Sequence, residues 1–141
     1  MRVARVVLRD FRSYAAAELR LGEAITVVAG PNGVGKTNLL EALYVGCTAR
    51  SCRTATDREL VRFGARVARV ELHAEGRDGP HAIGVGIEPG EGKRVRVDGV
   101  TAERLTAVEA RPLAGVFLPD RLELVKGPPA LRRAHLDQVV A

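Results

Sequence analysis

Gly30, Gly35, Lys36 and Thr37 stand at the spacing G-x-x-x-x-G-K-[ST] within the segment GPNGVGKT, a pattern whose chemistry is the binding of phosphate anions. Glycines at 30, 33 and 35 admit backbone angles that side chains forbid, so successive N–H groups can turn inward onto phosphate oxygens. A helix starting at Lys36 adds the positive end of its dipole to the same anion. Lys36 is expected to reach β- and γ-phosphate oxygens, and the Thr37 hydroxyl to enter the shell of a Mg2+ ion. Pro31, Asn32, Val34 and Asn38 complete the residues expected to line the phosphates. The expected ligand is a purine nucleoside triphosphate with magnesium, ATP first among them. A plain strand-to-helix turn would also explain the glycines, but only if Lys-Thr and both flanking elements coincided by chance. The lysine is informative in itself: 19 of the 22 basic residues are Arg, and only Lys36, Lys93 and Lys126 are Lys. A compact ammonium on a flexible stem is a chemical requirement in such a loop, not a compositional habit.

Phosphoryl transfer needs more than this loop, namely a carboxylate to hold the metal and a group to orient the attacking water. The sequence offers Asp120 at the end of Val116-Phe117-Leu118-Pro119, where Pro119 interrupts the approach and a turn acid is the simpler reading. Asp137 falls in a predicted helix and is a weaker candidate. No catalytic residue is assigned.

These groups must be positioned by elements readable from periodicity. Residues 2–9 alternate apolar and basic and predict a half-exposed strand, followed by a polar corner at 10–14 and a second strand at 15–21. Residues 24–29, AITVVA, are an uninterrupted β-branched run expected as a central strand covered on both faces. A helix is expected over 36–44 and a shorter one from Asp57 to about 64. Strands at 67–74, 82–87 and 93–97, separated by RDGP and EPGEG, predict an antiparallel meander. A helix at 101–109, a strand at 113–118 and a helix at 128–140 complete the expectation. The fold class is α/β with a mixed sheet, a phosphate-loop helix and the meander. The last helix runs to Ala141 without a stop signal, so the chain is expected to be part of a longer one; a frayed terminal helix in a complete small domain is the alternative.

With 141 residues, 46% hydrophobic and 28% charged, the chain has the balance of one folded domain. Charges throughout the first thirty residues exclude a signal-peptide core, no apolar run approaches the ~20 residues of a membrane helix, and a cytoplasmic protein is expected. Cys47 and Cys52 match neither a disulfide framework nor a metal-ligand spacing. The net charge of +5 permits binding to a polyanion. Arg50, Arg53, Arg58, Arg62, Arg66 and Arg69 against Asp57 and Glu59 give a local excess of +4, enough to contact DNA phosphates if it forms one face, and otherwise a solvated surface. His73, His81 and His135 are scattered and receive no chemistry.

Several segments together resemble the RecF family of bacterial recombination and repair ATPases, related to SMC proteins and ABC-type ATPase heads. They are Asp10-Phe11-Arg12-Ser13-Tyr14, the loop continued through Asn38-Leu39-Leu40-Glu41-Ala42, and the block from Phe117-Leu118-Pro119 through Leu124-Val125-Lys126-Gly127-Pro128 to Arg132-Arg133 and Leu136-Asp137. Pro119-Asp120-Arg121-Leu122 departs from the family's Pro-Glu-Asp-Leu, and His135 stands where an aromatic is usual. The resemblance implies an N-terminal lobe of a P-loop ATPase of ABC-head type, with the signature motif and the Walker B acids downstream of Ala141. It implies a head-to-head homodimer around two ATP molecules and binding of DNA at gaps or single-strand to double-strand junctions. It also implies RecR and RecO as partners in loading RecA, in DNA replication, repair and the SOS response. Arg12 and Tyr14 can stack on a base, and by resemblance their corner lies close to the nucleotide, so Arg12 joins the expected binding residues. Two other classes remain open: a self-contained P-loop kinase or nucleotide-binding enzyme acting on a small molecule, and a module that holds nucleotide without turning it over.

Overall fold

The computed structural model describes residues 1–105, 108, 111–118, 128–130, 133 and 136. Six strands form one sheet: β1 (Arg2–Phe11), β2 (Tyr14–Arg20), β3 (Ala68–Glu75), β4 (Pro80–Glu88), β5 (Gly92–Val97) and β6 (Val100–Ala102), in the order β2-β1-β3-β4-β5-β6. Every pairing among them is antiparallel. Period-2 alternation sends Val6, Leu8, Val70, Leu72, Ile83, Val85, Ile87 and Val95 to one face, where each is buried. The single long helix α1 (Lys36–Thr48) lies on that inner face through Leu39, Ala42 and Val45. Gly46 lets helix and sheet meet closely, since a Cβ there would come within 2.5 Å of Leu72 Cγ. The α/β class with a phosphate-loop helix and a meander is therefore observed.

Four expectations change. Residues 24–29 pair with no strand, and Ile25 and Val27 are 83% and 82% exposed. A doubly covered strand needs neighbours on both edges, and the described residues supply none, which is why the sheet is antiparallel throughout rather than mixed. The helix expected from Asp57 shortens to a 3-10 turn at Asp57–Leu60, because the chain after it is drawn onto the β1–β2 corner. There Arg12 N–H donates to Leu60 O and Arg62 N–H to Asp10 O, each at 2.8 Å, and Phe11 bridges Val61. The helix expected at 101–109 begins instead as β6, folded back on β5 by Asp98-Gly99 with φ of 52° and 83°, the two positive angles of a tight hairpin turn. Residues 113–118 form no strand, and Leu113 and Phe117 are exposed. Of the helix expected at 128–140, Pro129, Ala130, Arg133 and Leu136 are described and are helical. Asp120, His135 and Asp137, with residues 124–127 and Arg132, lie outside the described residues.

Asp98 also ties the meander to a histidine. Its Oδ1 accepts from Ala82 N–H at 2.8 Å and its Oδ2 lies 2.8 Å from His81 Nδ1, while Asp78 Oδ1 lies 3.0 Å from His81 Nε2 without the alignment of a good hydrogen bond. The bond to Asp98, then Asp78, raises the His81 pKa above its ordinary value. A raised folded-state pKa means the stabilisation is complete below the unfolded value near 6.5 and is lost as pH rises through the folded one. Denaturation followed between about pH 6 and 9 should show stability falling, and His81→Gln should flatten that slope. An unchanged profile in His81→Gln would show that the two carboxylates do not hold the imidazolium.

Candidate phosphate-binding site

The loop at 30–37 leads directly into α1. Gly30, Gly33 and Gly35 have φ of 156°, 83° and 104°; the last two are left-handed angles that other residues adopt only with strain. Gly35 is doubly required, because a Cβ would also meet Ser13 Oγ at 3.0 Å and Tyr14 Oη at 3.2 Å. The helix begins with no side-chain cap and no acidic residue in its first turn. Its first N–H groups are thus left for an external acceptor, at the positive end of a 13-residue helix. Lys36 folds back over the loop, and its Nζ donates to Gly30 O and Pro31 O at 2.7 Å each. An ammonium has three donors, so one remains for a phosphate oxygen. The Thr37 hydroxyl is exposed, with no described protein partner. Among the described residues no group of three or more His, Cys, Asp or Glu could hold a metal. A hydroxyl of this kind suits a Mg2+ ion held mainly by phosphate oxygens and water.

The β1–β2 corner is pressed against this loop. Asp10 and Arg12 both have left-handed backbone, with φ of 48° and 51°, an unfavourable geometry for residues other than Gly. It persists because the backbone bonds to Leu60 and Arg62 and the Arg62–Asp10 ion pair at 2.7 Å fix the corner. In this shape Tyr14 O–H donates to Gly35 O at 3.2 Å and Asn38 Nδ2 donates to Ser13 Oγ at 3.0 Å. Arg12 turns to Glu41 of α1, donating from Nε to Oε2 and from Nη2 to Oε1, both at 2.8 Å. Glu41 is fully buried. It also accepts from Ser51 Oγ at 2.5 Å and from Arg53 Nη1 at 3.3 Å, and the same Nη1 donates to Asn38 Oδ1 at 3.1 Å. Burial pushes the Glu41 carboxyl upward, but Arg12, Ser51 and Arg53 together hold it below its ordinary value. In this site one carboxylate joins the corner, the helix and the 50–54 segment.

The expected residues thus gather in two ways. Residues 30–38 form the loop itself, and Arg12 reaches the underside of its helix with the fork of its guanidinium engaged by Glu41. The basic cluster of 50–69 does not form one face. Arg53 turns inward to Glu41, Arg62 and Arg66 pair with Asp10 and Glu88, and Arg69 lies across the sheet on the outer face of β3. Arg50, Arg53, Thr54 and Lys93 border an open depression of about 500 Å³, in which Lys93 is bound by Asp57 at 2.8 Å. Burial lifts the Cys47 thiol to about 11, leaving it inert. Glu41 was missed as a site residue. The signal was its place four residues before Val45 and one before Ala42, on the helix side that faces the sheet, where a charge needs partners.

The family model described as the RecF/RecN/SMC N terminal domain matches residues 2–109. The DNA replication and repair protein RecF of Acidothermus cellulolyticus is 44% identical over 147 aligned positions, covering 99% of this chain and 38% of that protein. RecF of Lacticaseibacillus casei is 39% identical over 137, covering 97% and 37%. The chain therefore spans little more than a third of these relatives. Among solved structures, the recombination mediator protein RecF with ATPrS, in the RecFOR pathway, superposes with a TM-score of 0.85 at 27% identity, covering 96% of this chain and 37% of that one. A chain described under ATP-driven dimerization and DNA stimulated activation of SMC ATPases superposes at 0.77 with 22% identity, covering 99% of each, and shares the fold. No helix among the described residues is long and apolar enough to cross a membrane.

Proposed function

The chain belongs to the RecF/RecN/SMC N-terminal domain family, and on that footing we propose that it is the ATP-binding lobe of a DNA replication and repair protein of RecF type. The observation that carries this reading is the loop of residues 30–37 at an uncapped helix start, with Lys36 held over it. ATP is the ligand it fits, and the relative solved with RecF-ATPrS supports that choice. Mg2+ would join Thr37 and the phosphates and supply charge neutralisation between them. Pro31, Asn32, Gly33, Val34, Gly35 and Asn38 would surround the phosphates, and Arg12 would stiffen the helix that presents them.

The same reading makes this half of a composite site. The exposed run at 24–29 has the composition of a doubly covered strand, and the relatives are nearly three times as long as the region matched. Strands, signature residues and Walker B acids from the remainder of the protein would cover that run and complete the site against a second subunit. The whole protein would act in the cytoplasm as an ATP-dependent homodimer at DNA gaps or junctions, helping RecR and RecO to load RecA. Nothing in the site favours a small-molecule kinase.

Three measurements test this. The chain alone should bind Mg-ATP in equilibrium dialysis and turn it over negligibly. A longer form should hydrolyse ATP when gapped DNA is present. Amide exchange at 24–29 should be fast in this chain and protected in the longer form. Failure to bind triphosphate would remove the lobe's role, and robust hydrolysis by the chain alone would remove the composite site.

A further inference from the structure

The outer face of the sheet, opposite α1, is crossed by a row of arginines that the linear sequence scatters. The register places Arg9 directly opposite Arg69, Arg69 opposite Gly86, and Gly86 opposite Arg94. One step along, Glu71, Gly84 and Arg96 form the next row. Arg9, Arg69, Arg94 and Arg96 are all exposed, and none has a described carboxylate partner. Of the strand acids on this face, Glu18 pairs with Arg5 at 2.9 Å, Glu75 with Arg2 and Glu88 with Arg66 at 2.9 Å. Glu71 lies 2.7 Å from a His73 Nε2 that accepts from Arg5, so among the described residues one carboxylate stands against these four arginines. Directly opposed like charges destabilise a sheet, so Arg9 facing Arg69 is a feature that folding alone does not favour.

The two glycines sharpen the point. A Cβ at Gly84 would meet nothing within 4 Å, and one at Gly86 only Arg94 O at 3.9 Å. Neither glycine has a positive φ. Crowding and backbone angle therefore leave both positions free to carry side chains, yet both are bare. Glycine within a strand weakens it and marks a bulge, a tight bend or a close approach by another molecule; β4 pairs on both edges without a register shift, which leaves the close approach. The result is a smooth lane along β4, flanked by Arg69 on one side and by Arg94 and Arg96 on the other.

From Arg9 to Arg94 the row crosses three inter-strand steps, about 14 Å, comparable with the roughly 12 Å width of a duplex major groove. Arginine forks suit phosphate oxygens. No Phe, Tyr or Trp stands in either row, so there is no platform for stacking single-stranded bases, and no apolar wedge for a lipid surface. We infer that this outer face, centred on Arg9, Arg69 and Arg94, docks the phosphate backbone of double-stranded DNA. The inference rests on the DNA-binding reading above and adds the surface, on the side of the sheet away from the phosphate loop and from the 50–58 arginines.

The test measures binding of a fluorescent duplex by the full chain between about 50 and 200 mM salt, with a triple variant Arg9→Gln, Arg69→Gln, Arg94→Gln. Three lost phosphate contacts lower the slope of log K against log salt by about 2.7, so wild type should lose about 40-fold more affinity across that range than the variant. The variant should melt no lower than wild type, since a like-charge pair has gone. Should the triple variant fail to fold, Arg94→Gln alone lowers the slope by about 0.9. A control, Arg50→Gln with Arg58→Gln, should keep the wild-type slope. If wild type binds and the outer-face variants match it, this face is excluded while DNA binding stands. If the control pair alone loses the slope, the 50–58 arginines hold the DNA instead. Wild type that binds no duplex, either as this chain or as the longer form with Mg-ATP, overturns the DNA reading itself, and binding to phosphatidylserine vesicles but not to duplex would assign the face to a membrane.

Discussion

Lys36→Ala should weaken triphosphate binding by about 10- to 150-fold, the loss of one charge-assisted hydrogen bond worth roughly 1.5–3 kcal/mol, while leaving the fold nearly untouched. The structure separates these two effects. Among the described residues, Lys36 Nζ hydrogen-bonds to Gly30 O and Pro31 O alone, in an exposed loop. Water can satisfy both carbonyls after truncation, so denaturation should move by no more than about 0.5 kcal/mol, as for a surface change. Lys36→Arg should not restore binding. The loop carbonyls hold a compact ammonium with a third donor to spare, whereas a planar fork cannot meet two carbonyls and a phosphate from one point. Equilibrium dialysis with Mg-ATP, beside chemical denaturation of the same variants, measures both quantities. Equal affinity in wild type and Lys36→Ala would remove the lysine from the phosphate site, and recovery in the Arg variant would reduce its role to charge alone.

The geometry of the loop was legible because it is local: three glycines with their backbone angles and a helix start are specified by eight consecutive residues. The antiparallel meander was legible for a similar reason, since alternation and turn residues in 67–97 set both strands and register. Two failures share a cause. AITVVA has the composition of a buried strand, but burial is a property of neighbours, and among the described residues nothing lies beside Ile25 and Val27. Residues 101–109 have helical composition, yet the Asp98-Gly99 turn and the open edge of β5 draw Val100–Ala102 into the sheet, where tertiary pairing outweighs propensity. The Arg9–Arg69–Arg94 row was invisible because its members are 60 and 25 residues apart and meet only through register. The run of arginines at 50–69, conspicuous in the sequence, divides between both faces once β3 is in place.

Glu41→Ala should destabilise the chain by about 3–5 kcal/mol, the range for removing one partner of a buried ion pair. Set against a total of about 5–15 kcal/mol, that is among the largest effects available to one substitution. The carboxylate is completely buried, accepts both arms of Arg12 and also holds Ser51 and Arg53. Truncation would leave the Arg12 side chain, only 16% exposed, with the longer and more exposed contact to Glu59 at 3.7 Å as its remaining counter-charge, on a corner already carrying two left-handed residues. Glu41→Gln keeps the volume but loses the charge and one acceptor, so its effect should be smaller, about 1.5–3 kcal/mol. The pH dependence separates charge from packing. Glu41 has a lowered folded-state pKa, so its stabilisation is full above the ordinary carboxylate value and is lost as pH falls through the folded one. Wild type should therefore lose stability on acidification more steeply than Glu41→Gln. A double-mutant cycle with Arg12→Ala should show strong coupling, because either truncation removes the same pair. Chemical denaturation that finds Glu41→Ala within about 1 kcal/mol of wild type would mean that the phosphate loop is held by its glycines and by Tyr14, with the buried network incidental to it.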